Sequence, residues 1–352
     1  VEAIVKRHAE KGVDFDTDYA EPTVGDGEVL IEVAAASVCG TDRELHDWTL
    51  SAQAFNLNLP VVLGHEVAGT IIEIGKDTKS VKVGDRVAME SHVPCYQCYQ
   101  CRVGDAHNCA NMLILGMHIN GGFAQRLSVP ESIAVCLPDS VSLEVGSLME
   151  SAGVAWTALA RSNFAGVGGT VLVSGCGPVG LVAIQLSLLL GATHVVAVEP
   201  NPYRRAIAES LGATVLDPSD DVVGYCRSIG GRRGGVDVAF EVSAAPSALP
   251  TLLNAVRREG DVVTIGHPSR EVPIDIATFI NKKGITLRGV FGRRLWSTWE
   301  DLGQLLESGR LDLSWLITHR LSLGDFDEAI DLLTGKANKV VLYPNGVDRG
   351  SR

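Results

Sequence analysis

"TVLVSGCGPVGLVAIQLSLLLGATHVVAVEPN", residues 170–201, is a β-branched run, a glycine-rich turn, a largely apolar run and a second β-branched run. The outer segments have strand composition, and the middle is long enough for a helix. Gly175, Gly177 and Gly180 form G-x-G-x-x-G at the strand-to-helix turn. That spacing alone is weak. Here it follows a strand and opens a helix, and Glu199 ends the next strand 19 residues after Gly180. This is the context a dinucleotide site needs. Gly175 permits the tight turn, Gly177 lets backbone approach a pyrophosphate, and Gly180 packs helix on sheet. Pro178 and Val179 begin the helix whose N-terminus faces the phosphates. Glu199 is expected to hold ribose hydroxyls and repel a 2′-phosphate, which favours NAD over NADP. Arg204 and Arg205 act the other way, because a guanidinium suits such a phosphate. The alternative is that the glycines serve helix–sheet packing alone.

Outward from this stretch the alternation continues. "PYRRAIAESLGA" (202–213) reads as helix and "GVDVAFEVS" (235–243) as strand. "SALPTLLNAVRREG" (247–260) reads as a helix ending at its glycine, with "DVVTIG" (261–266) and "GITLRGVFG" (284–292) as strands. Alternating strands and helices predict an α/β, doubly wound parallel sheet. Towards the N-terminus the pattern differs. "GEVLIEVAAA" (27–36), "VVLGHEVAGTIIEI" (61–74) and "SVKVGDRVAME" (80–90) are short strands with turns, suggesting a small barrel-like fold. In the tail, "WEDLGQLLESGRL" and "DFDEAIDLLTG" are amphipathic helices expected to pack back on that first part.

The 352 residues suffice for two domains, and 38 glycines suit many tight strand-to-helix turns. A net charge of −12 argues against a nucleic-acid or anionic-membrane partner. "VEAIVKRHAEKG" has no apolar signal core, and the most apolar run, 181–192, is too short to span a bilayer. A cytoplasmic protein is expected.

Half of the eight cysteines lie in "CYQCYQCRVGDAHNC". Cys95, Cys98, Cys101 and Cys109 follow C-x2-C-x2-C-x7-C, a spacing that lets four thiolates close a tetrahedron around structural zinc. An iron–sulfur cluster is the competing reading. Cys39, in "VCGTDRELHDW", stands apart. With "GHE" (64–66) and "MES" (149–151) it offers a thiolate, an imidazole and carboxylates, the three-ligand set of a catalytic zinc. Spacing does not establish that they meet, and a lone Cys or His is more often core than ligand.

Together these residues resemble the zinc-dependent medium-chain alcohol and polyol dehydrogenases. The carriers are Cys39-Gly-Thr-Asp42, Gly64-His65-Glu66, the four-cysteine lobe, Glu150 and the glycine turn. Within that family "ESHVPCYQC", "GVFGRRLWSTW" and "ITHRLSLGDFDEAIDLL" are similar to segments of L-threonine 3-dehydrogenases. The resemblance implies a GroES-like catalytic domain (1–153), a Rossmann NAD-binding domain (154–292), a C-terminal return to the catalytic domain (293–352) and an interdomain active site. It implies that Cys39, His65 and Glu66 ligate catalytic zinc, with Glu150 an alternative or exchanging carboxylate. Asp42 would orient His65, Thr41 would begin proton export, and His92 would stand on the substrate side. Trp296 and Trp299 read as core or interface.

The implied reaction is oxidation of a secondary alcohol to a ketone by hydride transfer to NAD. A small polar alcohol is the expected partner, L-threonine the leading case, and a homodimer or homotetramer the expected assembly. A polyol, 2,3-diol or cyclitol is the alternative. A non-catalytic zinc and nucleotide-binding module is the reading from another class. One departure stands out: Glu44 takes the place of a relay histidine in these relatives. It reads either as a proton relay or, with Thr41, as a capping box for the helix "DRELHDW", while His46 is a further relay candidate.

Overall fold

A computed structural model describes residues 1–335 and 337–346. The last six residues of the expected C-terminal return, 347–352, lie outside the described residues. The chain divides into two compact units, one formed by Val1–Glu150 with the chain from Arg294 onward, the other by Ser151–Arg293.

In the first unit the strand Glu28–Val38 is the organiser. It pairs antiparallel with Glu66–Ile74, with Arg126–Pro130 and with Lys339–Tyr343. Ile31, Val33, Ala36 and Val38 are buried together with Val67, Ile71, Phe123, Val340 and Leu342. The register decides where the chemistry goes. Ser37 stands opposite Glu66, and Val38 opposite Val340, so Glu66 and Lys339 reach the same end of the sheet as Cys39. The tail does contain helices, Ser297–Glu307 and Phe326–Leu332, and Phe326 packs on Phe123 at 5.4 Å between ring centroids. It also supplies the strands Ile317–Ser322 and Lys339–Tyr343. "KVVLY", its lysine included, is fully buried in the sheet.

The second unit holds a sheet in which every neighbouring pair is parallel. Numbering its strands along the chain from Thr170–Ser174, the spatial order is 3-2-1-4-5-6. That is the doubly wound Rossmann order, whose switch point lies between strands 1 and 4. Leu172, Val196, Ala239, Leu252 and Val262 are buried between sheet and helices.

One expected element is corrected. The helix read over 247–260 ends at Ala255, and the strand begins at Val256. Val256 is extended and opposite Val236, and the pairing resumes at Asp261 opposite Val238. Arg257 Nε donates to Asp237 Oδ1 at 2.7 Å across that irregularity. Pairing and this ion pair override the helical spacing of "AVRREG".

Candidate active site

The four clustered cysteines converge. Their sulfurs lie within 4.8 Å of one another, with Cys98 Sγ 3.6 Å from Cys101 Sγ and 3.8 Å from Cys109 Sγ. A tetrahedron with Zn–S near 2.3 Å has edges of about 3.8 Å, so the spacing fits zinc. Backbone N–H groups of Gln97 and Cys98 donate to Cys95 Sγ at 3.5 and 3.4 Å and hold its pKa down to about 6. Burial, with Cys98 and Cys109 close by, pushes Cys101 up to about 12. A divalent cation among the sulfurs offsets that penalty and favours all four thiolates.

The second centre forms where the Glu28–Val38 strand turns into the helix Gly40–Asp47. Cys39 is the N-cap of that helix. Asp42 Oδ2 accepts from the Cys39 backbone N–H at 2.8 Å, closing the reciprocal arm of a capping box. The expected Thr41–Glu44 box is therefore wrong. The helix starts one residue before Thr41, which leaves Asp42 three positions past the cap, and Glu44 sits half-buried two residues further on.

Cys39, His65 and Glu66 bring their donor atoms within 4.8 Å of one another. Asp42 is fully buried, and its Oδ1 lies 3.4 Å from His65 Nδ1, outside hydrogen-bond geometry. Neither atom has another hydrogen-bond partner. Burial works against a charged His65, but the Asp42 carboxylate and Cys39 outweigh it and hold the imidazole pKa well above its ordinary value. A field that favours a proton there favours a cation as well. Thr41 Oγ1 stands 3.8 Å from Cys39 Sγ. His46 Nδ1 instead lies 3.1 Å from Asp47 Oδ1, and its ring is 6.5 Å from Phe326.

The two carboxylates differ. Glu66 Oε1 accepts from Lys339 Nζ at 2.5 Å, and its Oε2 is held by Lys339 Nζ and Ser37 Oγ, all of them buried. Glu150 is also buried and accepts from Ser91 Oγ at 2.7 Å, but it is outside the converging donor group. His92 is buried beside Glu90, and Glu90 accepts from the Trp299 indole. Sequence reasoning missed Ser37, Lys339, Ser91 and Glu90. Lys339 carried one faint signal, a lone charge opening an apolar run.

In the second unit Gly175 adopts φ +98°, and a Cβ there would lie 2.8 Å from Ser243 Cα. A Cβ on Gly180 would lie 1.9 Å from Gly175 O, so the helix touches the turn through backbone alone. Gly177, the N-cap of the helix Pro178–Leu189, faces open space. Pro178 occupies the first helical position and Val179 follows it. A cavity of about 430 Å³ at this switch point is lined by Gly175, Gly177, Glu199, Arg204 and Ser243 among others. Glu199 accepts from the backbone N–H of Cys176 at 2.7 Å and of Asn201 at 2.9 Å, which fixes its carboxylate at the rim. Arg205 is committed to Asp217 at 2.5 Å, whereas the buried Arg204 Nε has no hydrogen-bond partner.

Among the described residues no helix is long and apolar enough to cross a membrane. Residues 25–139 match the alcohol dehydrogenase GroES-like domain, and residues 178–308 match the zinc-binding dehydrogenase family. An L-threonine 3-dehydrogenase of Caldanaerobacter subterraneus subsp. tengcongensis is 40% identical over 97% of this chain and 98% of its own length. The crystal structure of 2R,3R-butanediol dehydrogenase from Bacillus subtilis superposes with a TM-score of 0.87 at 30% identity, covering 98% of this chain and 99% of the other. An alcohol dehydrogenase from Thermus sp. ATN1 gives a TM-score of 0.88 at 27% identity, covering 97% and 99%. The substrate of such a fold is a small-molecule alcohol. With a GroES-like β-rich unit, a Rossmann sheet and two convergent sets of metal-ligating side chains, the chain belongs to the zinc-binding medium-chain alcohol dehydrogenases and is an oxidoreductase acting on CH–OH groups.

Proposed function

We propose that the protein oxidises the secondary hydroxyl of L-threonine to a ketone, with NAD as hydride acceptor and two zinc ions per chain. The observation that carries the reaction is the convergence of Cys39, His65 and Glu66 at one end of the Glu28–Val38 strand. The substrate rests on the 40% identity to the L-threonine 3-dehydrogenase. When bound, catalytic zinc supplies the Lewis acidity that lowers the pKa of an alcohol, and the nicotinamide takes the hydride.

The chain's own residues do the rest. Asp42 faces His65 Nδ1 and so leaves Nε2 as the ligating nitrogen. The same carboxylate grips the Cys39 backbone, which ties thiolate and imidazole to one rigid helix cap. Glu66 is the carboxylate that the geometry favours as third ligand, and Lys339 and Ser37 hold it in place. Glu150, anchored on Ser91, is the alternative. Thr41, beside Cys39, receives the hydroxyl proton and passes it outward, and Glu44 on the next turn extends that route. His92 faces the substrate. Cys95, Cys98, Cys101 and Cys109 hold the structural zinc.

The dinucleotide lies along Gly175, Gly177, Pro178, Val179 and Gly180, with Glu199 on the adenosine ribose. The fixed Glu199 carboxylate favours NAD over NADP, whose 2′-phosphate it repels. The open-edge strand Thr286–Gly289, with Leu287 exposed, suits pairing in a homodimer or homotetramer.

A panel of L-threonine, 2,3-butanediol, sorbitol and inositol with NAD, read as NADH absorbance, tests the substrate. NADH from threonine is expected, and its absence with turnover of a diol moves the assignment to that alcohol. Metal analysis is expected to find about two zincs per chain and about one in Cys39→Ala. Full metal and full activity in that variant would end the catalytic-zinc reading.

A further inference from the structure

The Rossmann unit gathers cations at the edge where its strands begin. Val236–Glu241, Val256–Thr264 and Thr286–Gly289 run parallel, so their first residues and the chain just ahead of them lie at one end of the sheet. The helices Val222–Gly230 and Ala248–Ala255 end there too. That end carries Arg227 in the last turn of one helix, Arg257 and Arg258 at the start of a strand, and Lys282 and Lys283 ahead of another. Gly175 and Glu199 follow their strands instead, so the cofactor cavity lies at the opposite end, about 15–20 Å away along a six-residue strand.

Some of these charges are neutralised. Arg233 and Arg257 both pair with Asp237, at 2.7 Å each. Arg227, Arg258 and Lys283 form no ion pair with a carboxylate among the described residues. Lys283 Nζ donates to the carbonyls of Leu253 and Asn254 at 2.6 and 3.1 Å, and Arg258 Nη1 to that of Lys282 at 2.6 Å. The Glu259 N–H donates to Lys283 O at 3.0 Å, which ties the two cationic segments together. Cys226 and Leu253 share one buried core, so Arg227, beside the first, comes to the same corner as Asn254, beside the second. Burial, then Arg227 and Arg258, push the half-buried Lys283 ammonium down to about 8, so the like charges are close enough to repel. The Glu259 carboxylate lies over Gly284 and joins no ion pair.

A lysine on the last carbonyls of a helix is an ordinary cap, which accounts for Lys283 but not for two guanidinium groups crowding it. Two helix ends offset about half a charge each, so with Lys283 protonated about two positive charges remain unmet. A phosphate dianion carries that charge, and its oxygens can accept from the third ammonium N–H and from both guanidinium groups. A carboxylate, with one charge and two oxygens, leaves a cation unmet. We infer that Arg227, Arg258 and Lys283 form a site for the phosphate group of a small molecule, at the end of the Rossmann sheet remote from the cofactor. A dianion bound there relieves the repulsion on Lys283 and restores its affinity for a proton.

The test uses zinc-loaded protein saturated with NAD, which fills the glycine turn, and labelled with carbon-13 at lysine Cε. It is titrated with sodium phosphate and with glycerol phosphate, against sodium chloride of equal ionic strength. NMR follows the Lys283 signal, assigned by its loss in Lys283→Arg. A saturable change with phosphate and not with chloride is expected, with proton affinity of Lys283 raised about tenfold. Arg227 is exposed and its guanidinium makes no hydrogen bond, so Arg227→Gln is expected to keep the unfolding midpoint. It is expected to weaken phosphate binding about tenfold or more, as a lost charge-assisted hydrogen bond does. The tighter of the two anions identifies the source, free phosphate or a phosphate ester. A change that does not saturate, one that chloride reproduces, or unchanged affinity in Arg227→Gln overturns the proposal. So does a single-stranded oligonucleotide that binds more tightly than either anion, which makes this edge a nucleic-acid surface.

Discussion

Replacing Lys339 by methionine keeps the length and apolar volume of the side chain and deletes its charge. Lys339 and Glu66 are 1% and 0% exposed, and the ammonium is in contact with both carboxylate oxygens. Removing one member of such a pair leaves an uncompensated buried charge and costs about 3–5 kcal/mol. For a domain of this size that lowers the melting midpoint by roughly 6–20 °C. The sign with pH follows from the lysine. Burial works against a charged Lys339, but Glu66, Cys39 and Glu150 outweigh it and raise its pKa. Its contribution is therefore complete at neutral pH and is lost only as pH rises through that raised value.

Zinc discriminates this from simple loss of packing. A cation held by Cys39, His65 and Glu66 replaces the missing ammonium, so zinc is expected to raise the midpoint of the variant more than that of the wild type. The four-cysteine lobe contributes equally to both proteins and cancels. Urea and thermal unfolding of chelated and zinc-loaded protein measure the four midpoints. A metal-free variant within about 0.5 kcal/mol of wild type, the range of an ordinary surface change, would refute the reasoning. So would equal stabilisation of both proteins by zinc.

Three further outcomes follow from the first helix and the glycine turn. Asp42→Ala leaves the Cys39 backbone N–H without its acceptor and is expected to lower the urea midpoint by an amount worth about 1–3 kcal/mol. Glu44→Gln should leave the unfolding midpoint unchanged while altering the pH–rate profile. A midpoint lowered by Glu44→Gln with an unaltered profile would reinstate Glu44 as a structural residue only. Gly180→Ala places a methyl 1.9 Å from Gly175 O and must push helix from turn, costing about 1–3 kcal/mol. NADH fluorescence titration should show weaker binding, and unchanged affinity would separate the turn from the cofactor site.

What the sequence displays and what it conceals divide by the distance over which each contact is made. The cysteine lobe closes within fifteen residues, and the glycine turn, its helix and Glu199 within twenty-five, so spacing alone carries their chemistry. Cys39 and His65 needed the sheet: Ser37 opposite Glu66 is what delivers the imidazole to the thiolate, and only family resemblance suggested it in advance. Local patterning also misread 256–260, where Val256 pairs with the neighbouring strand, Arg257 is held by Asp237 and Glu259 turns at φ +56°. The deepest concealment is shared by Lys339 and Trp299. Locally, Lys339 is only a lone charge opening an apolar run, and Trp299 reads as core or interface. Each turns out to be a donor to a buried carboxylate more than two hundred residues earlier, Glu66 and Glu90. A buried carboxylate without a donor is costly to hold in place. The segment after Arg294 is thus bound to the N-terminal half through Lys339 on Glu66 and Trp299 on Glu90. A chain ended before that segment would lose the donors that hold Glu66 and Glu90, and leave two buried carboxylates without them.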